Sequence, residues 1–158
     1  MSLAVVFSRA SVGIDAPLIT VEVHLANGLP CFNLVGLPEA SVREAKDRVR
    51  SALINSGFEF PARRITVNLA PADLPKEGGR FDLAIAIGII AASNQLKGAS
   101  LEGIELVGEL ALSGEIRPIK GALPFTYACF KEGRTAILPA ENANEAALIN
   151  GAKIVPAY

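Results

Sequence analysis

Between residues 43 and 64 the chain carries six basic side chains, Arg43, Lys46, Arg48, Arg50, Arg63 and Arg64, against Glu44, Asp47 and Glu59, a local +3. Guanidinium and ammonium groups at this density suit phosphate oxygens, so contact with nucleic acid is the chemistry this stretch offers. On a helix Arg43, Lys46 and Arg50 fall within one outward arc together with Asp47, and the following residues can bring Arg63 and Arg64 back near the same side. Glu44 and Asp47 dilute the patch, and the plainest reading of a charged helix face is a solvated one. Aromatic rings for stacking on unpaired bases are limited in this stretch to Phe58 and Phe60. Lys76 and Arg80 flank Gly78-Gly79 and are second-choice phosphate contacts, because free amides at such a turn can cradle an anion. A tight turn into a helix is the commoner use of a double glycine.

Other chemistries find less support. The chain contains no Gly-Lys-Ser/Thr and no dinucleotide glycine fingerprint. His24 is the one histidine; it lies on the polar side of an alternating segment with no ligand spacing around it, so it reads as structural. A serine–histidine enzyme would have to use it, and nothing places a serine or an acid beside it. Asp73, Glu77 and Asp82 gather about one loop, where magnesium would need converging carboxylates; compensation of helix-start charge is the more ordinary role. Cys31 and Cys129 form no CxxC pair and read as reduced thiols of a cytoplasmic protein.

The elements that must position these groups follow from periodicity. Leu18–Ala26 alternates, with Ile19, Val21, Val23 and Leu25 on one side, which specifies a half-buried strand. Leu3–Ser8 precedes it as a strand. Asn27-Gly28 predicts a hairpin with Cys31–Val35 as the returning strand. Pro38 opens a helix whose stripe is Val42, Ala45, Val49, Ala52 and Leu53, and Gly57 ends it. Arg64–Leu69 is a strand. Phe81–Ala92 is apolar nearly all round apart from Asp82, which predicts a central helix with Leu83, Ile85, Ala86, Ile87, Ile89 and Ile90 mostly buried. Glu105–Leu112 and Glu115–Ile119 predict a second hairpin about Ser113-Gly114. A helix from Leu123 to Lys131, a strand at Thr135–Leu138, a short helix at Asn142–Leu148 and a last strand at Lys153–Val155 complete an α+β sandwich, read as one domain over residues 1–158.

Composition narrows the class. With 158 residues, 51% hydrophobic and 20% charged, the chain can bury a core without disulfides or metal. The longest apolar run, Leu83–Ala92, is about half a membrane span, and no basic segment precedes the short apolar start, so neither a membrane partner nor a secretory signal is expected. A net charge of −1 makes any nucleic-acid site local rather than global.

Four blocks in order, Asn33-Leu-Val-Gly-Leu-Pro-Glu39, Asn68-Leu-Ala-Pro-Ala-Asp73, Lys76-Glu-Gly-Gly-Arg-Phe-Asp-Leu-Ala84 and Gly108-Glu-Leu-Ala-Leu-Ser-Gly-Glu-Ile-Arg-Pro-Ile119, resemble the N-terminal domain of the ComM/YifB proteins, magnesium-chelatase-like AAA+ ATPases of bacteria. The resemblance covers essentially the whole chain. It implies the fold of the Lon proteolytic domain, of the RadA C-terminal domain and of the second domain of a small-subunit ribosomal protein. It also implies a parent protein that forms a hexameric ring and promotes DNA branch migration during transformation and recombination. ATP and Mg2+ then belong to an AAA+ module outside this sequence, which itself needs no cofactor, and the implied partners are that module, neighbouring ring subunits and DNA.

Lon-type peptidases set a serine in a Gly-Pro-Ser-Ala-Gly turn and a lysine in a Gly-Gly-Leu-Lys turn. The matching stretches place Arg80 at the serine and Pro124 at the lysine, with Lys120 four residues early. A serine needs a base to become a nucleophile, so the resemblance implies a kept fold and a lost dyad. A peptidase with a displaced dyad and an RNA-binding module are the competing expectations.

Overall fold

The computed structural model describes residues 2–76, 78–96 and 100–158. Nine strands and four helices alternate along it: β1 (Ser2–Arg9), β2 (Leu18–Ala26), β3 (Cys31–Val35), α1 (Glu39–Asn55), β4 (Arg64–Ala70), α2 (Asp82–Ala92), β5 (Ile104–Leu106), β6 (Glu109–Leu110), β7 (Ile116–Arg117), α3 (Ala122–Lys131), β8 (Thr135–Pro139), α4 (Ala143–Ala146) and β9 (Ile154–Ala157). Seven strands form one mixed sheet in the order β3-β4-β2-β1-β5-β8-β9, and β6 and β7 form a small separate hairpin. β2 alone runs against the other strands of the large sheet; the β3–β4, β1–β5, β5–β8 and β8–β9 pairs are all parallel.

The first core lies between the sheet and the first two helices. Ile19, Val21, Val23 and Leu25 of β2 and Ile65, Val67 and Leu69 of β4 are fully buried, as their alternation requires. α2 crosses them closely because Gly88 has no side chain: a Cβ there would stand 2.5 Å from Val23 Cγ2. α1 closes this layer with Ala45, Val49, Ala52 and Leu53.

A second core occupies the opposite face. The register pairs Phe7–Glu105 and Glu105–Ala136 put Ala136, and with it Leu138, on the side turned away from α2. There they meet Ala122, Phe125 and Cys129 of α3 and Ala146 of α4. The helices therefore change faces where β1 meets β5. At that join Glu105 is fully buried, held by Arg9 through both carboxylate oxygens and by Arg134 at 2.9 Å. Arg134 also sits 4.7 Å from the Phe7 ring centre. The Cys129 thiol beneath is pushed up to about 12, by burial first and then by Glu105, which leaves it inert.

Three expectations need correction. Asn27-Gly28 turns the chain, but β3 does not return along β2: β4 is inserted between them and β3 pairs with β4 in parallel, with α1 as the crossover. The stretch expected as one hairpin arm, Glu105–Leu112, splits at Gly108 into β5 of the large sheet and β6 of the small one. Gly108 sits against the start of α2, donating its N–H to Arg80 O and accepting from Leu83 N, and a Cβ there would come 2.9 Å from Ile116 Cγ2. Ile87 is only half-buried, unlike Ile85, Ile89 and Ile90. No helix among the described residues is long and apolar enough to cross a membrane.

Ile89→Ala should accordingly lose about 2–5 kcal/mol of unfolding free energy in urea titration, and Ile87→Ala markedly less. Equal losses at the two positions would show that α2 is rotated from the orientation described.

Candidate nucleic-acid interface

The rotation of α1 decides which of its cations are available. Successive residues advance by about 100°, so Ala45, Val49, Ala52 and Leu53 form the buried arc and Arg48 flanks it on one side. Lys46 and Arg50 flank it on the other, with Arg43 beyond them. Arg48 is thereby committed inward: its Nε donates to Asp82 Oδ2 at 2.6 Å and its Nη2 to Oδ1 at 3.3 Å. The Glu44–Arg48 pair expected from their spacing is present at 3.6 Å but secondary.

Arg43 and Arg50 are exposed and Lys46 is partly so. Lys46 Nζ lies 5.9 Å from the Phe32 ring centre and Arg50 Cζ lies 5.3 Å from that of Phe60. The two rings are 5.6 Å apart and tilted by 48°. Arg50, Phe32, Phe60, Cys31 and Arg63 wall a shallow cavity of about 320 Å³. Cations interleaved with half-buried aromatic rings can take a phosphate and a base face together. Sequence reading missed Phe32 because β3 is remote in the chain; only the packing of α1 beside the β3 edge brings it to Arg50. Phe58, the other ring in the basic stretch, lies outside this cavity.

The expected basic set therefore divides. Lys46, Arg50 and Arg63 gather about Phe32 and Phe60 near the amino ends of β3 and β4, whereas Arg43, exposed on the same side of α1, lies two turns away toward the carboxyl end of β3. Arg64 pairs in register with Ala26 and Cys31, and alternation with buried Ile65 places it on the open face of the sheet, away from that cavity. Lys76 and Arg80 are not phosphate contacts of an exposed surface. Lys76 is buried, with Nζ donating to Pro71 O at 2.6 Å and Leu74 O at 3.2 Å, and burial lowers its pKa. Arg80 is buried too, donating Nε to Arg9 O and Nη1 to Lys120 O. Of the suggested carboxylate group, Asp82 is consumed by Arg48, Asp73 is exposed, and Glu77 lies outside the described residues. Among the described residues, no three His, Cys, Asp or Glu side chains are grouped to share a metal ion. His24 is partly exposed on β2, opposite Leu3 and Thr66.

The model of the family described as subunit ChlI of Mg-chelatase matches residues 21–142, from β2 to the end of β8 and the 3-10 turn that follows it. The chain belongs to that family. It is 62% identical over 150 residues to the competence protein ComM of Haemophilus influenzae and 58% identical over 151 residues to YifB of Escherichia coli. These matches take in 95% and 96% of the chain and 30% of each relative, so the chain spans under a third of their length. A more distant similarity, 26% over 167 residues, relates 98% of the chain to 20% of the Lon protease of Rhizobium meliloti.

Arg80 and Pro124, the positions expected to match the Lon dyad, carry neither a hydroxyl nor an amine. Arg80 is bonded to main-chain carbonyls, and Pro124 lies in the first turn of α3. The Arg48–Asp82 pair sets a pH dependence instead. Burial pushes the Asp82 carboxyl up to about 6 although Arg48 and the Leu110 N–H oppose it. Between about pH 4 and 6 the folded chain then holds a proton that the unfolded chain has released, so this group's contribution to stability falls as pH rises through that window. In Arg48→Ala the carboxyl loses its cation, which should cost about 3–5 kcal/mol at pH 7. Without Arg48 the Asp82 carboxyl takes up its proton at a higher pH than in the unsubstituted chain, so the deficit should shrink as pH falls toward 6 and level off below it. A deficit independent of pH in denaturant titrations from pH 4.5 to 8 would show that Arg48 contributes packing alone.

Proposed function

We propose that the chain is a non-catalytic DNA-contacting and ring-assembly domain of a ComM-like AAA+ protein. The observation that carries the DNA reading is the cluster of Lys46, Arg50 and Arg63 about the tilted Phe32–Phe60 pair. The competence name of the Haemophilus influenzae relative supports placing this contact in DNA uptake and recombination, with branch migration as the work of the whole protein. ATP and Mg2+ would serve an AAA+ module, and a hexameric ring would multiply a weak contact by avidity. In fold, the mixed sheet and the distant Lon similarity support the Lon-type domain shared with the second domain of a small-subunit ribosomal protein. A reduced, cytoplasmic setting accords with two unpaired thiols.

A serine–lysine peptidase is the second reading, favoured by Ser11 and Lys120 lining one cavity. Lys120 is exposed, whereas the lysine of such a dyad must be desolvated to serve as a base, and no hydrogen bond joins it to Ser11. The chain should show no peptide hydrolysis and no fluorophosphonate labelling; turnover lost in Ser11→Ala would make it a peptidase.

For DNA, alanine at Arg43, Lys46 and Arg50 together should weaken binding by the full-length protein. The log–log salt slope should flatten by about 0.7 per lost contact on single strands and about 0.9 on duplex. Phe60→Ala should weaken single-strand binding more than duplex binding. Unchanged slope and affinity in the triple variant would leave assembly as this domain's task, and stronger binding to structured RNA than to DNA would favour an RNA module.

A further inference from the structure

Arg80 is a buried cation to which no described residue supplies a counter-charge. It is 7% exposed, its Nε and Nη1 donate to the neutral carbonyls of Arg9 and Lys120, and its Nη2 has no acceptor. Among the described residues no carboxylate pairs with it, in contrast to Arg9, Arg48 and Arg134, each of which has an acid. An unpaired charge inside a protein costs free energy, and an anion beside the guanidinium would offset it. Burial correspondingly lowers the Arg80 pKa to about 10.

The guanidinium lies in the wall of a cavity of about 440 Å³ whose lining includes Ser11, Gly79, Glu109 and Lys120. Its Nη1 stands 3.7 Å from where a Gly121 Cβ would be, beside Ser11 Oγ, so it occupies the Ser11–Lys120 side. Asp82 and Glu109 occupy the other side: their carboxylate oxygens are 2.9 Å and 2.6 Å from a Cβ position on Gly79. The cavity opens at the carboxyl ends of β1 and β5, where the crossover helices change from one face of the sheet to the other. Open α/β sheets hold ligands at that kind of place.

We propose that this cavity binds a small oxyanion, a phosphate or carboxylate group, between Arg80, Ser11 and Lys120. Arg80 supplies its positive charge from the cavity wall, Ser11 a hydroxyl and Lys120 a rim charge. Glu109 opposite limits the negative charge that can enter, which selects a single compact group over a polyanion. The site is distinct from the Phe32–Phe60 cluster, which lies at the amino ends of the strands, and it does not depend on DNA binding there.

The test is an NMR titration of the 15N-labelled chain with sodium phosphate and, separately, sodium acetate at constant ionic strength. Arg80 Nε and the amides of Ser11 and Gly121 should shift and saturate, with half-saturation on the order of 1 mM. Saturation by phosphate alone would identify a phosphate site, and saturation by both probes a general carboxylate and phosphate site. Lys120→Ala, at an exposed position, should weaken binding about 3–10-fold. Glu109→Gln should tighten it several-fold, an outcome that a purely structural Arg80 does not produce. Arg80→Met should abolish saturation if it folds. Linear, non-saturating shifts for both probes, or affinities unmoved by Lys120→Ala and Glu109→Gln, would overturn the proposal.

Discussion

Asp82 joins three elements through one carboxylate. It is the first residue of α2, 1% exposed, and it accepts from Arg48 of α1 and from the Leu110 N–H of β6. An ionised group in that position is tolerable only while its hydrogen bonds are complete, so the pair constrains geometry more than it adds stability. Holding Arg48 inward fixes the rotation of α1, and that rotation turns Lys46 and Arg50 toward Phe32 and Phe60. The candidate interface thus depends on a contact made on the opposite flank of the same helix. The Leu110 bond ties in the small hairpin and with it Glu109, on the wall of the Arg80 cavity.

The parts of this arrangement that the sequence discloses are those governed by local periodicity. Alternation in Leu18–Ala26, the stripe of α1 and the unbroken apolar run of α2 each specify an element and its inner side without reference to anything distant. Pairing is another matter. Asn27-Gly28 states that the chain turns, but the partner of β3 is decided by the crossover of α1 and the insertion of β4, both non-local. Gly108 is similar: its role as a point of close approach to α2 is visible only when both segments are folded.

Charge behaves the same way at the sites. Arg43, Lys46, Arg50, Arg63, Lys76 and Arg80 are alike as letters, and the count alone cannot sort them. Lys76 is withdrawn because carbonyls of its own loop receive its hydrogens, and Arg80 is drawn below the outer surface, into a cavity wall, by the carbonyls of Arg9 and Lys120. Lys46 and Arg50 remain available because what they meet is the face of a ring, which leaves their N–H groups free. Only the environment separates a structural cation from a binding one.

The sheet carries a seam. β1 and β5 share a single register pair, Phe7–Glu105, and the helices on either side of it serve different cores. The join is held by the Arg9–Glu105–Arg134 ions more than by ladder hydrogen bonds. A join of this kind is where the β8–β9 half is expected to open as a unit before β1–β4 and the two helices upon them. Amide exchange should then show two levels of protection, one for each core. Leu106 and Ile137 still pack on the first core, so the Glu105 ions and this apolar contact are what such an opening must break.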